Sequence, residues 1–135
     1  MRAFALSALS LLVLCTFPAA GQERCKPPRI RGLSDADVNT IVLREIANVS
    51  NTSADRIDLD LPLKAADRTS NGAITYAFFF HNISEDLEIE LAKASPEVVS
   101  QLGKSNVVAV YEHTPVRTLQ ALVRSAYKAA QECQK

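Results

Sequence analysis

The stretch Ala73-Ile74-Thr75-Tyr76-Ala77-Phe78-Phe79-Phe80-His81-Asn82-Ile83-Ser84-Glu85-Asp86-Leu87-Glu88-Ile89-Glu90-Leu91 decides the fold of this chain, because two periodicities fit it. At helical spacing, Tyr76, Phe79, Phe80, Ile83 and Leu87 make one apolar stripe. As a hairpin, Ile74, Tyr76, Phe78 and Phe80 pair with Leu87, Ile89 and Leu91 across a turn at His81 to Asp86. The aromatic and β-branched content of Ile74 to Phe80 favours strand, so the residues by themselves leave both forms open. Whichever form is taken, Phe78, Phe79 and Phe80 exceed the needs of one small core. A single helix face buries two such rings, and the third goes to a partner, a second layer or a ligand cavity. The three phenylalanines are therefore the candidate surface for a protein partner or an apolar ligand.

Upstream, Ser34 is a good N-cap, and Asp35 and Asp37 suit a first helical turn. Val38, Ile41, Val42, Ile46 and Val49 then recur at helical spacing, which predicts a helix from about Asp35 to Asn48. Asn51, Thr52 and Ser53 break that pattern, and Ala54 to Leu63 reads as an extended or turn-rich loop with alternate apolar residues. Residues 64–72 are small and polar and end in the turn dipeptide Asn71-Gly72, so they read as loop. Downstream, Ser95-Pro96-Glu97 opens a short helix through Leu102, stopped by Gly103. Val107 to Tyr111 is short and β-branched and reads as an extended segment or edge strand. Thr114 as cap and Pro115 at the first position start a last helix whose apolar face is Val116, Leu119, Leu122, Val123 and Tyr127.

Residues 1–21 read as a signal peptide: Arg2, an apolar run from Ala3 to Phe17 too short to span a bilayer, and the small residues Ala19-Ala20-Gly21 at cleavage spacing. The expected organisation is a signal peptide at 1–21, an extended leader at 22–33 broken by Pro27-Pro28, and one globular domain at 34–135. The location implied is secreted or periplasmic. No further stretch has membrane-spanning length, so no stable membrane insertion is expected after cleavage. The 15 basic and 15 acidic residues balance, which argues against a nucleic-acid partner. In an oxidising compartment Cys25 and Cys133, near opposite ends of the exported chain, are expected to form a disulfide. Such a long loop gives a stabilisation of roughly 4 kcal/mol in the chain-entropy treatment, and requires the two Cα atoms to lie about 5–6 Å apart.

Taken together, Val38 to Leu63 and Thr114 to Ala129 resemble acyl and peptidyl carrier proteins. The Asp55-Arg56-Ile57-Asp58-Leu59-Asp60-Leu61-Pro62-Leu63 loop is similar to the segment after a carrier's first helix, and Thr114-Pro115-Val116 with Leu119 and Leu122 is similar to its last helix. Phe79-Phe80, Ile83 and Leu87 to Leu91 look like the end of its second helix and the exit from it. The resemblance implies a mainly-α fold, a small helical bundle with a helix within 73–91, whose chain ends the expected disulfide joins. The alternative is α+β, with a hairpin at 73–91 and a strand at 107–111. In the implied bundle the first and last helices run antiparallel, which brings the neighbourhoods of Cys25 and Cys133 to one pole.

Carriers bear phosphopantetheine on a serine at the start of the second helix, and this chain has Gly72-Ala73-Ile74 there. Ser70, with Asp67 three residues before it, is the nearest hydroxyl and the cofactor-binding candidate if the chain is a genuine acyl carrier. Otherwise no cofactor is expected. The reading of the whole is a non-enzymatic binding or adaptor protein on a carrier-like scaffold, with an envelope immunity or inhibitor protein as a subtype. His81 and His113 lack a nucleophile motif and a metal-ligand spacing, so neither a catalytic nor a metal site is expected. The acidic run Glu85-Asp86, Glu88 and Glu90 reads as a solvated rim. Three Asn-x-Ser/Thr sequons start at Asn48, Asn51 and Asn82.

Overall fold

Helix α1, Asp35–Val49, starts where its capping chemistry dictates. Ser34 Oγ accepts from the Asp37 main-chain N–H at 3.1 Å, and the Asp37 carboxylate accepts from the Ser34 N–H at 2.9 Å. This reciprocal box satisfies two of the donors that a helix start leaves open. The Ser34 hydrogen bonds also hold the Asp37 carboxyl below the usual carboxylate range. The computed structural model describes residues 32–89, 91, 101 and 107–132.

The deciding segment is helical. Helix α3 runs Ala73–Asp86 after a short α2, Leu63–Ala66, and no strand occurs among the described residues. The chain is mainly α, and the hairpin alternative at 73–91 is overturned. Strand propensity at Ile74 to Phe80 loses because helix α3 places Tyr76, Phe79 and Ile83 together in the core, where each is almost fully buried. Val107 to Tyr111 also corrects the sequence expectation: Val107–His113 is a helix, α4, with Val110 and Tyr111 buried. β-branched residues lower helix propensity only slightly, and packing of one face decides the outcome. Part of the 64–72 loop is helical as well, since Leu63 buries completely and takes Lys64 to Ala66 into α2.

Helix α5, Val116–Glu132, is the amphipathic element that the sequence indicates, with Val116, Leu119, Val123, Ala126, Tyr127 and Ala130 buried. Its start differs in detail, because Pro115 precedes the helix. The first-turn donors go to main-chain carbonyls: Val116 N–H to Leu61 O at 3.0 Å and Arg117 N–H to Leu59 O at 2.9 Å. Pro62 and Pro115 form an isolated antiparallel bridge beside them. A 3-10 turn, Ala54–Arg56, leads into this stitched segment.

Helix α1 packs against both α3 and α5, while α4 packs against α2 and α3. The α1–α5 pairing is antiparallel. Lys128 donates to Asp35 at 3.1 Å and Gln120 to the carbonyl of Asn39 at 3.3 Å, so ascent along one helix is descent along the other. The start of α1 and the last turns of α5 thus share one end of the molecule. Residues 1–31, Cys133 and the Ser95-to-Leu102 helix, apart from helical Gln101, lie outside the described residues.

The core joins Val38, Val42 and Ile46 of α1 to Tyr76, Phe79 and Ile83 of α3 and to the buried face of α5, with Leu87, Ile89 and Leu91 closing one side. Replacing Phe79 by Ala is expected to lower unfolding free energy by about 3–5 kcal/mol. Urea denaturation measures it, and an unchanged midpoint would remove Phe79 from the core.

Candidate functional site

The three phenylalanines point in three directions. Phe79 is buried and lies 5.9 Å, centroid to centroid, from Tyr76. Phe80 is half-buried, 6.4 Å from the same ring. Phe78 is 58 % exposed, and so is Ile74, one helical turn before it. Residues four apart on a helix are neighbours, so Ile74 and Phe78 form a continuous apolar strip on the outer face of α3. Ala77 and His81 on the same side are exposed too. Of the three predicted ring residues, the structure assigns two to the interior and leaves Phe78 as the surface residue. Ile74 escaped the sequence reading, although its i, i+4 spacing to Phe78 was the available signal.

The strip stands on a polar anchor at the start of α3. Asp67 Oδ1 accepts from Thr69 N–H at 2.7 Å and from Thr69 Oγ1 at 2.6 Å. Asp67 Oδ2 accepts from Tyr111 O–H at 2.7 Å and from Thr75 Oγ1 at 3.0 Å. Four donors fill the acceptor capacity of a carboxylate. With both threonine hydrogens directed to Asp67, the 2.9 Å approach of the two hydroxyl oxygens is a packing contact. Asp67 therefore ties the α2–α3 loop, the first turn of α3 and the middle of α4 together. Burial pushes its carboxyl up, but the bonds from Thr69, Tyr111 and Thr75 outweigh burial and hold it below the usual carboxylate range. Burial first, and then the Asp67 carboxylate, push the Tyr111 hydroxyl up to about 12.

Ser70 lies in this loop, exposed and at φ 63°, two residues ahead of the Gly72 cap. Its hydroxyl makes no hydrogen bond among the described residues, and Asp67 turns to Thr69, Thr75 and Tyr111. Ala73 is the first residue of α3. His81 and His113 sit on different helices, each facing a glutamate of its own: His81 to Glu85 at 3.3 Å and His113 to Glu112 at 3.9 Å. No group of His, Cys, Asp or Glu is placed to hold a metal ion among the described residues. In the acidic run, Asp86 is taken by Arg44 of α1 at 2.8 Å. None of the described helices is long and apolar enough to cross a membrane. Cys25 and Cys133 lie outside the described residues.

No known protein family matches this chain, nor does a curated protein or a solved structure. The site is therefore read from its own chemistry.

Replacing Tyr111 by Phe removes one of the four donors to Asp67 and is expected to cost about 1–2 kcal/mol. The folded carboxyl is held below its unfolded value, so its stabilisation is complete above the unfolded pKa of about 4 and is lost as pH falls through the folded value. Asp67→Asn is accordingly expected to flatten the acid limb of the stability curve. Unfolding midpoints from neutral to strongly acidic pH check this; parallel curves for parent and variant would contradict it.

Proposed function

We propose that this chain is an exported, non-enzymatic binding protein that recognises a protein partner through the outer face of α3. The observation that carries the reading is the paired exposure of Phe78 and Ile74, each 58 %, directly above a helix start held by Asp67. An aromatic ring and a branched aliphatic side chain on a rigid helix lose little conformational freedom on burial, which suits an interface anchor. An apolar small molecule is less well served, because such ligands need enclosure and a convex helix face offers none. Immunity or inhibitor proteins of the cell envelope are one subtype of this function.

Export and the crosslink belong to the same proposal. The pairing of Lys128 with Asp35 brings the last turns of α5 to the start of α1, and this supports a Cys25–Cys133 disulfide closing the bundle on a carrier-like scaffold. Non-reducing peptide mapping of exported material is expected to yield one crosslinked peptide pair; two free thiols would remove it.

A genuine acyl carrier is the second reading, favoured by the exposed Ser70 hydroxyl in the loop before α3, which makes no hydrogen bond among the described residues. Intact mass of protein from its native host separates the two. A phosphopantetheine adduct that disappears in Ser70→Ala establishes the carrier, and the plain polypeptide mass discards it.

Phe78→Ala is expected to change folding stability by less than about 0.5 kcal/mol, as surface substitutions do. A photo-crosslinking residue at position 78 is expected to capture a defined partner in the native host, whereas the same residue at exposed Ser125 of α5 captures none. Equal behaviour at the two positions would overturn the assignment.

A further inference from the structure

The turn that launches α3 carries a reactive pair that neither the anchor nor the apolar strip uses. Asn71 is exposed, and its side-chain amide has no partner among the described residues. Gly72, which caps the helix at φ 56°, has no described atom beyond its own residue and its two chain neighbours within 4 Å of the place where a Cβ would stand. Its main-chain N–H donates to nothing among the described residues, because the turn's bonds run instead from Asn71 N–H to Thr69 Oγ1 and from Ile74 N–H to Asn71 O. A free amide nitrogen without a neighbouring side chain therefore follows an unhindered asparagine.

We propose that Asn71-Gly72 is a self-modification site, converting through a cyclic imide to aspartate and isoaspartate. The Gly72 nitrogen attacks the side-chain carbonyl carbon of Asn71, and its proton passes to water. The new N–C bond closes a five-membered ring, and the carbon–nitrogen bond of the side-chain amide breaks with release of ammonia. One water then opens the ring at either carbonyl. Opening at the side-chain carbonyl restores the main chain with aspartate at 71, and opening at the other leaves the chain running through the side chain as isoaspartate. Water is the only co-reactant, and no electrons are exchanged.

The two products act on α3 in opposite ways. Helix α3 has no acidic residue in its first turn and no side-chain cap. A carboxylate at 71 adds the negative charge that a helix start favours. Isoaspartate instead lengthens the main chain by one carbon between Thr69 and Ile74. That breaks the spacing of the two turn bonds and shifts Thr75 relative to Asp67.

The test needs no partner and is independent of the proposed function. Purified protein is incubated at mildly alkaline pH, mapped by peptide mass spectrometry, and labelled with an isoaspartyl methyltransferase. Asn39, Asn48, Asn51, Asn82 and Asn106, each followed by Thr, Val or Ile, are controls within the same digest. Conversion at Asn71 is expected to run ahead of every other asparagine, because its attacking amide carries no neighbouring Cβ. In Asn71→Gln, where the ring would be six-membered, the label is lost. The isoaspartate form, resolved from the aspartate form by reversed-phase or hydrophobic-interaction chromatography and identified by the methyltransferase label, is expected to melt below the parent, while Asn71→Asp melts at or above it. Conversion no faster at Asn71 than at the other five, or label retained in Asn71→Gln, overturns the proposal.

Discussion

Successive residues on an α-helix are turned by about 100°, so three adjacent phenylalanines can never share one face. This angular constraint organises α3 and, through it, the molecule. Phe79 lies at the centre of the buried arc, Phe80 at its edge and Phe78 beyond it. Thr75, Tyr76 and Ile83 share the arc with Phe79 and set which elements α3 meets, α1 and α4. The exposed strip of Ile74 and Phe78 is the geometric remainder of that choice, which makes it a property of the fold as well as a candidate interface.

Polar groups complete what the apolar arc begins. Hydrophobic burial is non-directional and tolerates a helix sliding or turning by part of a residue. Asp67 does not tolerate this, because its carboxylate has one acceptor position for each of its four donors and Thr75 is one of them. Further along the helix Asn82 reaches the buried carboxylate of Glu45 at 3.4 Å, and Asp86 binds Arg44. Leu59 and Leu61 serve α5 similarly, giving it main-chain acceptors where Thr114 was expected to cap.

Local signals made α1 legible almost to the residue, since its cap, acidic first turn and apolar period agree. The apolar face of α5 was equally plain, and the surplus of Phe78 to Phe80 could be deduced before it was known which ring was left out. Two features resisted. Val107 to His113 carries β-branched residues in a short run, and the burial of Val110 and Tyr111 that overrides their preference comes from helices distant in sequence. The anchor was invisible for the same reason: Asp67 and Tyr111 stand 44 residues apart, and nothing local announces their bond. Thr69 was accessible in principle, because an aspartate two residues before a threonine is an Asx-turn pattern.

The outward placement of Phe78 raises the question of whether α3 could turn to hide it. Burying the ring is worth about 1.5–3 kcal/mol. Turning the helix by one residue would carry Phe79 away from the core centre, so the gain at one ring is matched by a loss of similar size at the other. Thr75 would leave Asp67, and two turns further along the same helix Asn82 would leave Glu45. Each stranded polar group costs about 1–3 kcal/mol. With apolar terms cancelling and polar terms all opposing the turn, exposure of Phe78 is the low-energy state of the isolated chain. Only a second surface brought to the ring can cover it without disturbing the helix beneath.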